Sequence, residues 1–179
     1  MKIGSRQAEE EAVLAAARAM CAAARTAPKA CGIDSLDTAI LTGEDKDALS
    51  AEMHRIAEAG CDRFFHRDAE NVDKSTAVVL IGTDEHPRGV GRVCSLCGWD
   101  GCADCVEHAG KCIMNSVDLG IAVGSAAALA ADLRMDNRIM FTAGKAASSL
   151  GLLGEKKLIF GIPLSVSGKS PFFDRSQNR

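Results

Sequence analysis

Five of the chain's eight cysteines fall within one short segment, namely Cys94, Cys97, Cys102, Cys105 and Cys112. Thiolates are soft ligands that bind zinc, iron and iron–sulfur clusters. In a chain without an export signal, cysteines packed this densely are more typical of a metal site than of disulfides. The sequence therefore predicts that the chemistry of this protein resides in residues 94–112.

The spacing of these cysteines bears on which metal they hold. A four-cysteine zinc site usually has two paired knuckles separated by about a dozen residues or more. Here Cys97 and Cys102 are only five positions apart, which is cramped for two knuckles. A [4Fe–4S] cluster accepts ligands from one short wrapping loop and a more distant cysteine. We expect a [4Fe–4S] cluster, with a structural zinc site and free or disulfide-paired thiols as the other interpretations.

Two ligand sets are compatible with a single cluster. The first set is Cys94, Cys97, Cys102 and Cys112, and the second uses Cys105 in place of Cys112. We favour the first set, because residues 102–105 resemble the start of a helix that lies over the cluster. Cys112 would then enter from beyond that helix.

Several residues of the loop could support a negatively charged cluster. Gly98 and Gly101 allow the backbone to pass close to the cluster and to direct N–H groups at sulfur. Arg88, Arg92 and Lys111 flank the loop and could offset the negative charge. Between two ligands, Trp99 could either shield the cluster or contact a partner protein.

The remaining sequence predicts the elements that position this loop. Apolar residues at helical spacing predict helices over residues 6–25, 43–60, 113–133 and 137–150. Short β-branched and apolar runs predict strands over residues 36–41, 76–82 and 157–163, the last two buried. We expect a single α+β domain over residues 1–175, in which a mixed sheet is packed by long Ala/Gly-rich helices. We also expect residues 84–112 to form one inserted cysteine-rich loop and residues 176–179 to be a disordered tail.

Composition excludes several function classes. Residues are 47% apolar and 25% charged, as in soluble globular proteins, and the net charge of −3 argues against nonspecific nucleic-acid binding. No apolar run approaches the roughly 20 residues of a membrane span. The N-terminus turns acidic where a signal peptide requires an apolar core. We expect a cytoplasmic protein that binds neither nucleic acid nor membrane.

Five segments of the chain resemble a known family. Residues 25–30, 94–102, 118–125, 136–140 and 161–175 are similar to the ferredoxin domain-containing family of unassigned function, domain-of-unknown-function family 2148. The resemblance extends from about residue 10 to residue 175. It implies a single iron–sulfur cluster held by Cys94, Cys97, Cys102 and Cys112.

A more distant resemblance is to the FMN-dependent nitroreductases. It rests on the Ala-Pro turn after the first long helix and on the Gly-x-Pro strand at residues 161–163. The resemblance implies a nitroreductase-like fold and an intertwined homodimer with flavin at its interface. Arg25, Lys29 and Lys169 are then candidates to bind the flavin phosphate. The alternative for Arg25 and Lys29 is a helix C-terminal charge and a solvated turn.

These observations predict an iron–sulfur redox protein on a nitroreductase-like scaffold. One [4Fe–4S] cluster would move electrons to or from a flavin, FMN, or a redox protein partner. The alternatives are a non-catalytic iron–sulfur carrier or sensor without flavin, and a protein whose zinc ion only fixes the loop. No catalytic residues stand out, and the sequence identifies no substrate.

Overall fold

The chain forms a four-stranded sheet with helices on both faces. A computed structural model describes residues 2–60, 63–156 and 158–173, so the predicted tail at 176–179 lies outside the described residues. The helices are α1 (Ser5–Thr26), α2 (Gly43–Gly60), α3 (Arg63–Asp73), α4 (Gly101–Glu107), α5 (Ile113–Asp132) and α6 (Phe141–Ser149). The strands are β1 (Asp37–Leu41), β2 (Ala77–Thr83), β3 (Asp136–Asn137) and β4 (Leu158–Ser165), and a short 3₁₀ turn spans Ala30–Gly32.

The central strand β2 is buried on both faces, as its continuous apolar run predicts. Val79 and Ile81 face one core cluster, which packs against α1 and α5. Val78 and Leu80 face a second cluster, which packs against α2, α3 and α6. The α+β class is confirmed, and β2 is the strand that contributes side chains to both core clusters.

The strand directions differ from those of the expected mixed sheet, in which both parallel and antiparallel pairs occur. The sheet order is β1-β2-β4-β3, and every neighbouring pair of described strands is antiparallel. For the β1–β2 pair the reason is α3, a helix that the sequence patterns above did not predict. Because two helices, α2 and α3, connect β1 to β2, the chain re-enters the sheet from the end that gives an antiparallel pair. Phe65, Ala69 and Val72 lie at helical spacing on the buried face of α3, which was an available signal for this helix.

The segment before α6 is extended where a helix was predicted from residue 137. Asp136 and Asn137 pair with Ser165 and Leu164 of β4, and Met140 exchanges two backbone hydrogen bonds with Gly161. These pairings to the sheet outweigh the local helical pattern, so α6 begins only at Phe141.

Helix α5 is more apolar than expected above. It is 20 residues long, and its most apolar stretch has a mean hydropathy of 1.5, which makes the helix long and apolar enough, by length and composition, to cross a membrane. The expectation that no run approaches that length is wrong for this helix. Leu119, Ala122 and Ala126 of α5 are fully buried in the core, although only 39% of its most apolar stretch is buried.

Helix α6 packs so closely on β4 that only glycine fits at one position. A Cβ added to Gly144 would lie 1.7 Å from the carbonyl oxygen of Ile159. We predict that Gly144→Ala lowers the free energy of unfolding by about 2–3 kcal/mol, because the backbone of β4 would have to move. Gly4→Ala is the matched control, since nothing lies within 4 Å of its added Cβ. Chemical denaturation checks both variants, and equal stabilities would contradict the close approach.

Candidate metal centre

The cysteine loop leaves the sheet at the end of β2 and returns to the core at the start of α5. Within it, α4 begins at Gly101, in agreement with the predicted helix over residues 102–105. All five cysteines of the segment line a single cavity, together with Pro87, Arg88, Val90, Ser95, Gly101, Ile113 and Met114. The residues of both alternative ligand sets therefore lie at one site.

The backbone of the loop turns where glycine is needed. Gly91, Gly98 and Gly101 have φ angles of 88°, 86° and 85°, which glycine adopts without strain. The backbone N–H of Gly91 donates a hydrogen bond to Sγ of Cys102 at 3.4 Å. This donor was expected from Gly98 or Gly101, but their N–H groups bind backbone carbonyls of Ser95 and Trp99 instead.

The thiols differ in burial. Cys105 and Cys112 are 1% and 9% exposed, whereas Cys94, Cys97 and Cys102 are half-buried. Burial raises the pKa of the Cys105 thiol, and a hydrogen bond with Cys97 and the nearby Cys112 and Cys102 raise it further. The geometry leaves both Cys105 and Cys112 within the site, so the fourth ligand stays a prediction.

No pre-formed site for a single metal ion is present in the part of the chain that the structure describes. There, no group of three His, Cys, Asp or Glu side chains lies close enough to hold one ion. The five thiols share a cavity without converging on one point.

Two of the three cations expected to offset a cluster's charge are already paired. Arg88 contacts Asp118 at 3.2 Å and Asp84 at 3.2 Å, and Lys111 contacts Glu85 at 2.6 Å. Their positive charge is thus largely balanced before any cofactor is considered. Among the described residues, no carboxylate pairs with Arg92, whose side chain is exposed.

Trp99 is half-buried within the cysteine loop. Its indole stacks on the imidazole of His108, with ring centroids 4.5 Å apart and planes inclined by 11°. A Cβ added to Gly110 would lie 2.3 Å from Trp99 Nε1 and 3.0 Å from Cys105 Sγ. The indole and the Cys105 thiol therefore meet over Gly110, where any side chain would separate them.

Arg25 and Lys29 act locally at the end of α1. Lys29 Nζ donates to the carbonyls of Arg25 at 2.5 Å and Ala27 at 2.6 Å, which satisfies carbonyl oxygens at the C-terminal end of the helix. Arg25 Nη1 donates to Asp34 Oδ2 at 2.7 Å and to the carbonyl of Leu36 at 2.7 Å. Both cations thus bind groups at the C-terminal end of α1, although the Lys29 side chain is 6% exposed and not solvated.

Lys169 lies elsewhere, in the exposed loop that follows β4. The carbonyl of Lys169 accepts a hydrogen bond from Ser167 Oγ at 2.8 Å. Flavin binding by Arg25, Lys29 and Lys169 stays a prediction.

Comparison with known sequences identifies relatives without an assigned activity. The profile of a family described as "Uncharacterized protein containing a ferredoxin domain (DUF2148)" matches residues 108–175, a range that includes Cys112 but not the other four clustered cysteines. An uncharacterized protein from Archaeoglobus fulgidus is 39% identical over 187 residues, an alignment that covers all of both chains.

Comparison with solved structures shows a nitroreductase fold. A nitroreductase with bound FMN from Desulfitobacterium hafniense matches with a TM-score of 0.59 at 15% identity, over 87% of this chain and 78% of that one. Nitroreductase CinD from Lactococcus lactis, in complex with chloramphenicol, gives 0.58 at 17% identity, over 93% and 85%. Nitroreductase A from Vibrio parahaemolyticus gives 0.54 at 13% identity over 96% of this chain, which spans 61% of that protein's length.

The proximity of Trp99 and Cys105 to each other at Gly110 leads to a test on metal-free protein. We predict that Trp99→Ala increases the rate at which iodoacetamide labels Cys105 several-fold, because the indole no longer covers the thiol. Peptide mass spectrometry measures the rate, and Cys31, which is exposed, is the internal reference. An unchanged Cys105 rate would contradict a shielding role for Trp99.

Proposed function

Since this chain belongs to the family of uncharacterized proteins that contain a ferredoxin domain, we propose that it is an iron–sulfur redox protein carrying one [4Fe–4S] cluster. The ferredoxin domain and the nitroreductase-like fold support a redox protein. The observation that carries the finer proposal is the single cavity lined by five cysteine side chains. Thiolate is the donor that holds iron–sulfur clusters, so the donor set fits the group.

Cys94, Cys97, Cys102 and Cys112 would hold the cluster, with Cys105 as the alternative fourth ligand. When bound, the cluster supplies a site that accepts and releases single electrons. The N–H of Gly91 donates to Cys102 Sγ, which stabilises negative charge on that sulfur. Cys112 directly precedes α5, so its sulfur lies at the positive end of a 20-residue helix.

Electrons would leave the site where apolar side chains project beside the ligands. Val93 is 89% exposed and Leu96 62% exposed, and each directly adjoins a proposed ligand, Cys94 or Cys97. Neighbouring exposed apolar side chains that form a patch are typical of contact surfaces, and these two lie three positions apart in the same loop. They support electron exchange with a protein partner, whereas the engaged donors of Arg25 and Lys29 give no separate support to FMN.

The ligand proposal is tested by replacing each cysteine with serine and measuring iron and acid-labile sulfide in anaerobically purified protein. We expect most iron and sulfide to be lost from the Cys94→Ser, Cys97→Ser, Cys102→Ser and Cys112→Ser variants, because each removes one ligand. Cys105→Ser should retain the cluster, and Cys21→Ser on α1 is the matched control outside the cavity.

Three other results have defined meanings. If Cys105→Ser loses iron while Cys112→Ser retains it, Cys105 is the fourth ligand. Zinc without sulfide in the wild-type protein would overturn the cluster and favour the zinc site. Flavin measured on the same samples separates a flavin-dependent redox protein from an iron–sulfur carrier or sensor without flavin.

We also propose that the protein is a homodimer that pairs through α5. Ile113, Val117 and Ile121 of this helix are 44%, 46% and 40% exposed, and they follow one another at helical spacing. Nothing lies within 4 Å of an added Cβ at Gly120 or Gly124, so a second helix could approach this face closely. The only charged side chain between the first and last turns of α5, Asp118, is buried, so two copies meet without charge repulsion.

The dimer proposal predicts that Ile121→Glu converts the wild-type dimer into a monomer, because a carboxylate would be desolvated in the interface. Sedimentation equilibrium measures the mass of each protein. Ala15→Glu, which places the same charge on the exposed face of α1, is the matched control and should remain dimeric. A monomeric wild-type protein would contradict the proposal.

A further inference from the structure

Arg88 is a buried cation beside the cysteine cavity, and sequence reasoning assigned it only a flanking role. Arg88 is 2% exposed, and it lines the same cavity as the five thiols. Its guanidinium donates to Asp118 Oδ2 at 3.2 Å, Asp84 Oδ1 at 3.2 Å, Thr83 Oγ1 at 3.1 Å and Ser35 Oγ. Four acceptors from three separate parts of the chain therefore fix this charge at the cavity wall.

Asp118 is similarly enclosed. Its side chain is 4% exposed, and its other carboxylate oxygen accepts a hydrogen bond from the backbone N–H of Ala30 at 2.9 Å. Asp118 lies on α5, the helix that begins directly after Cys112. The Arg88–Asp118 ion pair thus links the cysteine loop, α5 and the turn after α1.

Burial determines how strongly such charges act on their surroundings. Water and salt screen exposed charges efficiently, but they screen buried charges much less. The Lys111–Glu85 ion pair of the same loop provides a contrast, since its side chains are 77% and 38% exposed. Each of the two ion pairs has one positive and one negative side chain near the same loop, but only the Arg88–Asp118 pair is shielded from water.

We propose that the buried Arg88–Asp118 pair sets the reduction potential of the cluster held in the cysteine cavity. This inference rests on the proposed function. Reduction adds one electron, and hence one unit of negative charge, to the cluster, and no bond to the protein forms or breaks. Arg88 favours the reduced state, Asp118 and Asp84 oppose it, and Arg88 is a positioning residue rather than a cluster ligand.

The test is a mediated redox titration of the anaerobic holoprotein with dithionite, followed by its visible absorption. Asp118→Asn should raise the potential, because it removes a negative charge and keeps an acceptor for the Ala30 N–H. Arg88→Gln should lower the potential, because it removes the positive charge. We expect each to change the one-electron equilibrium constant about tenfold, which is about 59 mV.

Matched variants separate the effect of the charge on the reduction potential from an effect of altered structure. Arg88→Lys keeps the charge and should stay close to the wild-type potential, although it loses hydrogen bonds. Glu85→Gln and Lys111→Gln remove the same charges at the exposed pair and should shift the equilibrium less than about twofold. Asp84→Asn, at a side chain that is 26% exposed, is the milder variant if Asp118→Asn or Arg88→Gln does not fold, and it should shift the potential upward.

Opposite shifts for the acidic and basic variants support the inference, because a purely structural role would alter cluster content without this sign pattern. A cluster whose potential is the same in Asp118→Asn, or in Asp84→Asn where the former does not fold, overturns the inference alone. Wild-type protein without iron and sulfide overturns the proposed function and this inference with it.

Discussion

The guanidinium of Arg88 connects the cysteine loop to the rest of the fold. A buried cation is tolerated only when acceptors replace its hydration, and here two carboxylates and two hydroxyls do so. Removing one partner from a buried ion pair typically costs about 3–5 kcal/mol, since the other charge is left uncompensated. The long insertion between β2 and α5 is thereby held at a defined position, and the thiols that line its cavity depend on that anchor.

A second set of contacts anchors the far end of the loop. Asn115 on the first turn of α5 donates through its side-chain amide to the carbonyls of Asp84 at 3.1 Å and His86 at 2.9 Å. The start of the loop is thus bound to the helix that follows Cys112. Because α5 is itself packed on α1 and the sheet, the residues before and after the cysteines are held by the same core. The cysteine loop is long, but its two ends are not independent.

The parts of this molecule that follow local rules could be predicted from sequence. The long helices α1, α2 and α5 and the doubly buried strand β2 each carry a clear apolar pattern, and the structure has them within a few residues of the predicted ranges. The crowding of five cysteines likewise indicated one shared site. Helix α3 was missed because its polar composition hides a short apolar stripe.

The remaining features depend on residues that are distant in sequence. Arg88 is bound by Ser35 and Asp118, which are 53 and 30 positions away in the sequence. No local sequence pattern predicts contacts over such distances. The donor to Cys102 came from Gly91, eleven positions before it, rather than from the glycines between the cysteines. Such interactions arise from tertiary packing, and the spacing of residues in the sequence does not predict them.

The proposed function depends on one [4Fe–4S] cluster in the cysteine cavity. Its most direct test is the iron, sulfide and zinc content of the wild-type protein, purified and analysed without exposure to air. We expect about four iron and four sulfide per chain, with broad absorption near roughly 400 nm, and no zinc. One zinc per chain without sulfide, or protein without any bound metal, would contradict it.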